Sequence, residues 1–349
     1  MIKRSSQKRS SLTEVAALAG VSSATVDRVL NGRGGVREEL ETKVLNAARK
    51  LRINRNLDQL PRQTLRFSVL MNRPDRDIYA RIQRAILDHQ SLHDNKGFTC
   101  SFHYFSSQEP KDIASRIESI QRGFDGVILL AYDHPIISDA LNPICREVPV
   151  VTLISDLPNS GRTYYAGSGN KQAGKLAGDL IGRFIPESIG RVLILTRLQR
   201  YTAHLDREVG LRQVVAERYP RLSASDVLEC NHGDAKDFKK ASDYIAENGP
   251  FSGVYNISSW NIPMIQKLKD EKVLQDTVIV AHGVNRRTRP LLRDGVLDAV
   301  IEYSPEDYAK RAVDTLLNHF GRCDDFDQNY RHRLEVFTRE YLPPVLEVD

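Results

Sequence analysis

No run in this 349-residue chain approaches the roughly 18 consecutive apolar residues of a membrane-spanning helix, so no integral membrane segment is expected. The basic stretch at residues 1–9 has no apolar segment behind it, which argues against a secretory leader. Cysteine is scarce. Cys100, Cys145, Cys230 and Cys323 are far apart and form no CxxC pair, which argues against a zinc ribbon or a disulfide framework and fits a reducing cytoplasm. The common catalytic signatures are missing as well: there is no phosphate-cradling Gly-Lys loop, no GxGxxG after a strand, no GxSxG elbow and no HExxH. The chain therefore reads as a non-enzyme with no cofactor and no metal.

What is present is an uneven charge distribution. Residues 1–62 hold 13 Lys+Arg and 6 Asp+Glu, a net of +7; the rest, from chain totals of 50 and 45, hold 37 and 39, a net of −2. A short basic head on a near-neutral body is the distribution expected when one segment meets phosphate and the remainder has another task.

The head has helical punctuation. Ser11-Leu12-Thr13-Glu14 has the capping-box spacing. Leu12, Val15, Ala16 and Ala19 recur on one helical face, and Gly20 ends the segment. A second helix follows from Ser22 or Ser23, with Val26, Val29 and Leu30 inward, and a third runs from about Arg37 to Leu51. Two short helices across a glycine turn, closed by a third, describe a helix-turn-helix. The second helix would enter the major groove with Ser23, Ala24 and Asp27 outward. Arg28 suits a bidentate contact to guanine. Ser22, Thr25 and Asn31, joined by Thr13, suit phosphate oxygens. A protein-docking role for three such helices stays open on the pattern alone.

The run from Leu12 to Asn31, LTEVAALAGVSSATVDRVLN, closely resembles the signature of the lac repressor (LacI/GalR) family. The resemblance implies that Ser23, Ala24 and Arg28 read bases. It also implies that Asp27, where a small serine is usual, narrows base choice. A hinge helix that wedges a leucine into the minor groove is implied at residues 52–63, with Leu57 and Leu60 as the candidates; the segment is short, carries Asp58 and runs into Pro61.

From Leu65 onward, apolar β-type runs alternate with amphipathic helical stretches, which predicts βαβ units and parallel sheets. The expected fold class is α/β: a small all-α helix-turn-helix head (1–51), a linker (52–63), and a two-lobed, doubly wound sensor domain (64–349). Its lobes are expected at about 64–165 with 285–325, and at 166–284 with 326–349. The body resembles the periplasmic sugar-binding fold that the family uses as its sensor, carried by VPVVT at 148–152, YAGSGN at 165–170, REVGLR at 207–212 and DGVLDAVI at 294–301. Ligands in such sheets sit beyond the carboxyl ends of the strands. That logic selects Asn72, Tyr79, Tyr132, Asp133, Ser155 and Asp156 from one lobe, and His204, Asn256, Ser258, His282, Glu302 and Tyr303 from the other. Arg207 is read as a structural residue at the cleft edge.

Leu205, Gly283 and Tyr303 stand where many sugar-binding relatives carry arginine, aspartate and glutamine. These departures argue against a plain hexose or pentose and leave a sugar alcohol, cyclitol or modified sugar open. The expected partners are operator DNA, a polar sugar-like effector and a second copy of the chain. The alternative is a sugar-binding protein, or a small-molecule enzyme, whose basic head docks a protein.

Overall fold

The computed structural model describes residues 12–51 and 64–343, except 32, 34, 76, 94–95, 121–122, 168, 187–188, 232–234, 259–260, 324–325, 328–329 and 331. The head contains α1 (Leu12–Ala19), α2 (Ser23–Leu30) and α3 (Glu38–Lys50). Gly20 closes α1 in the left-handed region at φ 67°, so that the Val21 amide turns back to the Ala16 carbonyl at 3.0 Å. Ser22 then caps α2, its Oγ accepting the Thr25 amide at 3.1 Å. Val15, Val26, Val29, Leu30, Val44 and Ala48 form one small buried core. Ser11, and with it half of the expected capping box, lies outside the described residues.

The body is two sheets. The first holds β1 (Leu65–Met71), β2 (Phe98–Tyr104), β3 (Gly126–Leu129), β4 (Val150–Leu153) and β5 (Tyr164–Ala166) in the order β2-β1-β3-β4-β5, all parallel. The second holds β6 (Gly190–Thr196), β7 (Leu222–Glu229), β8 (Gly253–Asn256), β9 (Val278–His282), β10 (Ala299–Tyr303) and β11 (Leu334–Phe337) in the order β11-β10-β9-β8-β6-β7. Only the β10–β11 pairing is antiparallel.

Helices cover both faces of each sheet, which is why the central strands are buried along nearly their whole length and mostly apolar, without alternation. In the first lobe, Phe67, Val69, Ile128 and Val151 pack with α4 (Asp77–Leu92) and α12 (Pro305–His319). Leu70, Val127, Leu129 and Val150 pack with α5 (Pro110–Glu118) and α6 (Pro135–Glu147) on the other face. In the second lobe, Leu193, Leu195, Val254 and Ile279 face α9 (Ala235–Asn248) and α10 (Ile262–Asp270). Val192, Ile194, Tyr255 and Val280 face α7 (Asn170–Phe184) and α8 (Thr202–Arg218). Each fully buried Leu or Ile is worth about 1.5–3 kcal/mol against exposure, so these four layers dominate the stability of the body.

The lobe assignment of 285–325 needs correcting. The short helix α11 (Thr288–Arg293) packs on β10, and β10 pairs with β9 and β11, so this stretch belongs to the second sheet up to Tyr303. Only α12 crosses over, and it packs on α4, β4 and β5. The return occurs at Ser304, whose hydroxyl caps α12. The hinge expected at residues 52–63 lies outside the described residues.

Candidate functional site

On the head, the outward side of α2 carries exposed Ser23, Ala24 and Arg28, with Asn31 at its end and Thr13 exposed on α1. The Ser22 and Thr25 hydroxyls are 2.9 Å apart, so each is oriented by the other. The two oxygens of Asp27, whose side chain is 38% exposed, accept from the Asn31 side-chain amide at 2.6 Å and from Arg33 Nη1 at 2.9 Å. A carboxylate so engaged orients Asn31 and Arg33 beside the outward side of α2. Arg28 Nη2 lies against Gly35, where a Cβ would come within 2.9 Å. Leu57 and Leu60, the candidate wedges, lie outside the described residues.

In the body, both sheets share one winding. The strand order reverses between β1 and β3 in the first and between β6 and β8 in the second. Crevices open beyond the carboxyl ends of strands at such reversals, and here the two crevices face each other. They form one cleft of about 530 Å³. The first lobe contributes Asp75, Asp77, Tyr79, Leu130, Ile154 and Ser155. The second contributes Arg197, Tyr201, His204, Arg207, Ser258 and His282, with Glu302 and Tyr303 at the crossover.

Of the expected effector residues, Tyr79, Ser155, His204, Ser258, His282, Glu302 and Tyr303 line this cleft and five do not. Asn72 lies one layer behind, donating to the Tyr79 hydroxyl at 2.7 Å and accepting from Gln108. Tyr132 is fully buried and donates to the Gln108 carbonyl at 2.7 Å. Asp133 accepts from Asn159 at 3.1 Å. Asp156 is paired with Arg162 and accepts from Thr152. Asn256 is fully buried behind the wall. Four of them follow strand ends and Asn256 is the last residue of β8, but each side chain is turned into the protein by its own partners or burial and away from the cleft.

Several lining residues were not selected from the sequence, among them Arg81, Arg197 and Tyr201; of these only Arg197, directly after β6, could have been found by the strand-end rule. Arg207 is more than an edge residue. Its Nε donates to Asn170 Oδ1 at 3.0 Å, its Nη1 donates to the Ile257 carbonyl at 2.9 Å, and its guanidinium lies 5.5 Å from the Tyr303 ring centre. Leu205, in contrast, is exposed and does not line the cleft.

The lobes are bonded to each other around the cleft. Thr202, at the start of α8, lies 3.0 Å from Ser155 Oγ, donates to the Asp156 carbonyl and accepts its amide, both at 2.9 Å. Tyr201 donates to Gln108 Oε1 at 3.2 Å. On the opposite side, Arg81 of α4 holds Glu306 with two bonds of 2.6 and 2.9 Å. It also donates to the Val284 carbonyl at 3.0 Å and lies 3.4 Å from Glu302.

Burial of Glu302 outweighs the opposing pull of Arg81 and raises its carboxyl from the ordinary 4.5 to about 7. The fold thus binds this proton more tightly than the unfolded chain does. Its stabilising effect is complete below about 4.5 and is lost as pH rises through about 7. The urea midpoint of the full chain should therefore carry a falling component across that window. Glu302→Gln should remove the component; an identical slope in the variant would reassign it to another group.

The comparisons agree on two units. Residues 11–56 match the family model of bacterial regulatory proteins, lacI family, and residues 94–322 match that of the periplasmic binding protein domain. Among solved structures, GanP, a glucose-galactose binding protein from Geobacillus stearothermophilus, superposes with a TM-score of 0.72 at 18% identity, covering 81% of this chain and 100% of its own. A Bacteroides fragilis protein described as a candidate LacI transcriptional regulator gives 0.68 at 15% identity, covering 80% and 98%. A solute-binding protein from Burkholderia graminis in complex with D-arabinose gives 0.71 at 17%, covering 80% and 96%. Identities this low establish the shared fold of the body. No curated protein matches the chain. Among the described residues no helix is long and apolar enough to cross a membrane.

Proposed function

Because the chain belongs to the lacI family of bacterial regulatory proteins and carries a periplasmic binding protein domain, we propose that it regulates transcription from a near-palindromic operator under the control of a sugar-like effector. It acts as a cytoplasmic homodimer and catalyses no reaction. The observation that carries this reading is the position of the cleft. It lies at the winding reversals of both sheets, so one small molecule touches both lobes and biases their closure. Two heads on a paired body would set two recognition helices on successive half-sites. A polar, hydroxyl-rich ligand suits the lining of serine, histidine, arginine and tyrosine, where ring faces take C–H edges and side-chain donors take oxygens.

The effector must prefer one lobe arrangement by a few kcal/mol to change occupancy, because a population shift cannot exceed the differential affinity. The test is selection of bound genomic fragments by the full chain, followed by affinity measurement on the recovered motif. Arg28→Ala should weaken binding by about 1–3 kcal/mol, roughly 5- to 150-fold, and relax preference at one base pair in each half-site. Uniform weakening across all sequences would make Arg28 a phosphate contact. Failure to recover any motif would remove the regulator reading.

A further inference from the structure

The cleft wall formed by the second lobe is more positive than a neutral sugar requires. Arg207 is held by an amide oxygen, a backbone carbonyl and the Tyr303 hydroxyl; Asp206 acts on it through space, but among the described residues no carboxylate lies within ion-pair distance of it. Arg197, directly after β6, lines the same wall. The carboxylates that line the cleft are placed elsewhere. Glu302 is engaged by Arg81 and by the Val284 amide. Asp77 accepts the Arg286 amide at 3.2 Å on the first-lobe side, and Asp75 is exposed at the mouth.

The two histidines of this wall add no positive charge. Burial, then Arg207, lowers His204 to about 3, and burial, then Arg207 and His204, holds His282 well below its usual range. Both rings are neutral, so neither repels a cation or neutralises an anion. A half-buried guanidinium without an anionic partner is costly to keep dry, and a bidentate anion is its best complement.

The same wall has unmet hydrogen-bonding capacity. Ser258 Oγ lines the cleft and has no partner among the described residues. Behind it, both amide atoms of Asn256 and of Asn261 are buried without partners, and these residues are 0% and 1% exposed. Buried polar groups without partners are rare in folded proteins. Hydroxyl groups, or waters ordered by a ligand, are what would satisfy them.

We infer that the effector is an anionic polyol, a sugar bearing a carboxylate or a phosphate, with its anionic group on Arg207 and Arg197 and its hydroxyls toward Ser258. This rests on the sensor reading above and narrows it. The test is thermal unfolding of the full chain with D-gluconate, D-glucuronate, D-galacturonate, D-glucose 6-phosphate and D-fructose 6-phosphate, beside D-glucose, D-galactose, D-fructose and sorbitol. At least one anion should half-saturate roughly tenfold or more below its neutral counterpart. The carboxylate and phosphate arms then separate the two sources of charge. Arg197→Gln should weaken the anion more than its neutral counterpart and so narrow the gap between them; an equal loss for both would make Arg197 a hydroxyl contact and overturn the inference. If that variant does not fold, added salt should weaken the anion alone in the unmodified chain.

A neutral sugar that binds as tightly as its acid or phosphate overturns the inference and leaves the sensor reading standing. If no anion moves the melting curve, the inference falls. If no compound of either kind moves the curve or the operator affinity, the sensor reading falls with it.

Discussion

Gly174→Ala is expected to destabilise the body by about 3 kcal/mol, at the upper end of the usual cost of forcing an extra methyl into a packed interface. Gly174, Gly178 and Gly182 recur every fourth residue along one side of α7, where each glycine costs about 1 kcal/mol relative to alanine unless packing requires it. Packing does require it. A Cβ on Gly174 would lie 1.9 Å from the Arg207 carbonyl oxygen, and one on Gly210 of α8 would lie 2.1 Å from the Lys171 carbonyl oxygen. Both obstacles are backbone, so no rotamer change relieves them, and the two helices must separate. The urea midpoint should fall with little change in slope. Gly178→Ala, whose nearest contact would be 3.2 Å, should cost distinctly less.

The functional consequence follows from the identity of the displaced residue. Arg207 itself is moved, so Gly174→Ala should blunt the response to effector more than the affinity for DNA without it. Stability within a few tenths of a kcal/mol of the parent would mean that α7 and α8 have more room than the structure gives them.

Arg81→Met is expected to cost about 3–5 kcal/mol near neutral pH, the range for breaking a buried ion pair from one side. The Arg81 and Glu302 side chains are only 11% and 9% exposed, while Glu306 is 32% exposed and can recover some water. Removing the cation pushes the Glu302 carboxyl higher still, so that it must take up a proton near neutral pH, and it strips the donors from Glu306 and from the Val284 carbonyl. The loss should shrink at acid pH, where Glu302 is protonated and needs no countercharge. The double variant Arg81→Met/Glu302→Gln should regain much of the stability, because replacing both members of a buried pair is far cheaper than removing one. Since Arg81 links α4 to the β9 and β10 ends, the double variant should also loosen the lobes and shift the effector concentration needed for half-response. A cost below about 1 kcal/mol for Arg81→Met would place the pair with exposed surface bridges.

The three helices of the head were legible because their determinants are local. Caps, the glycine stop and the inward faces of three short helices all lie within forty contiguous residues. The alternation of strands and helices in the body was legible for the same reason, since buried parallel strands are short apolar runs. Strands with mixed patterns were not: β7, LSASDVLE, is an edge strand whose exposed side takes polar residues, and β11 pairs at the other edge. The position of β10 in the second sheet also depends on partners distant in sequence, and the boundary at 285 missed it.

The sequence by itself determined the class of the molecule, a DNA-reading head on an α/β sensor, and the strand ends from which a site would be assembled. Which of those strand-end residues face the cleft was decided only in three dimensions. Arg81 meets Glu302 across 221 residues, and Arg207 lies where Gly174 leaves room for its backbone. Side-chain direction past a strand end, and the approach of one helix to another, depend on contacts between remote segments, and no local periodicity encodes those.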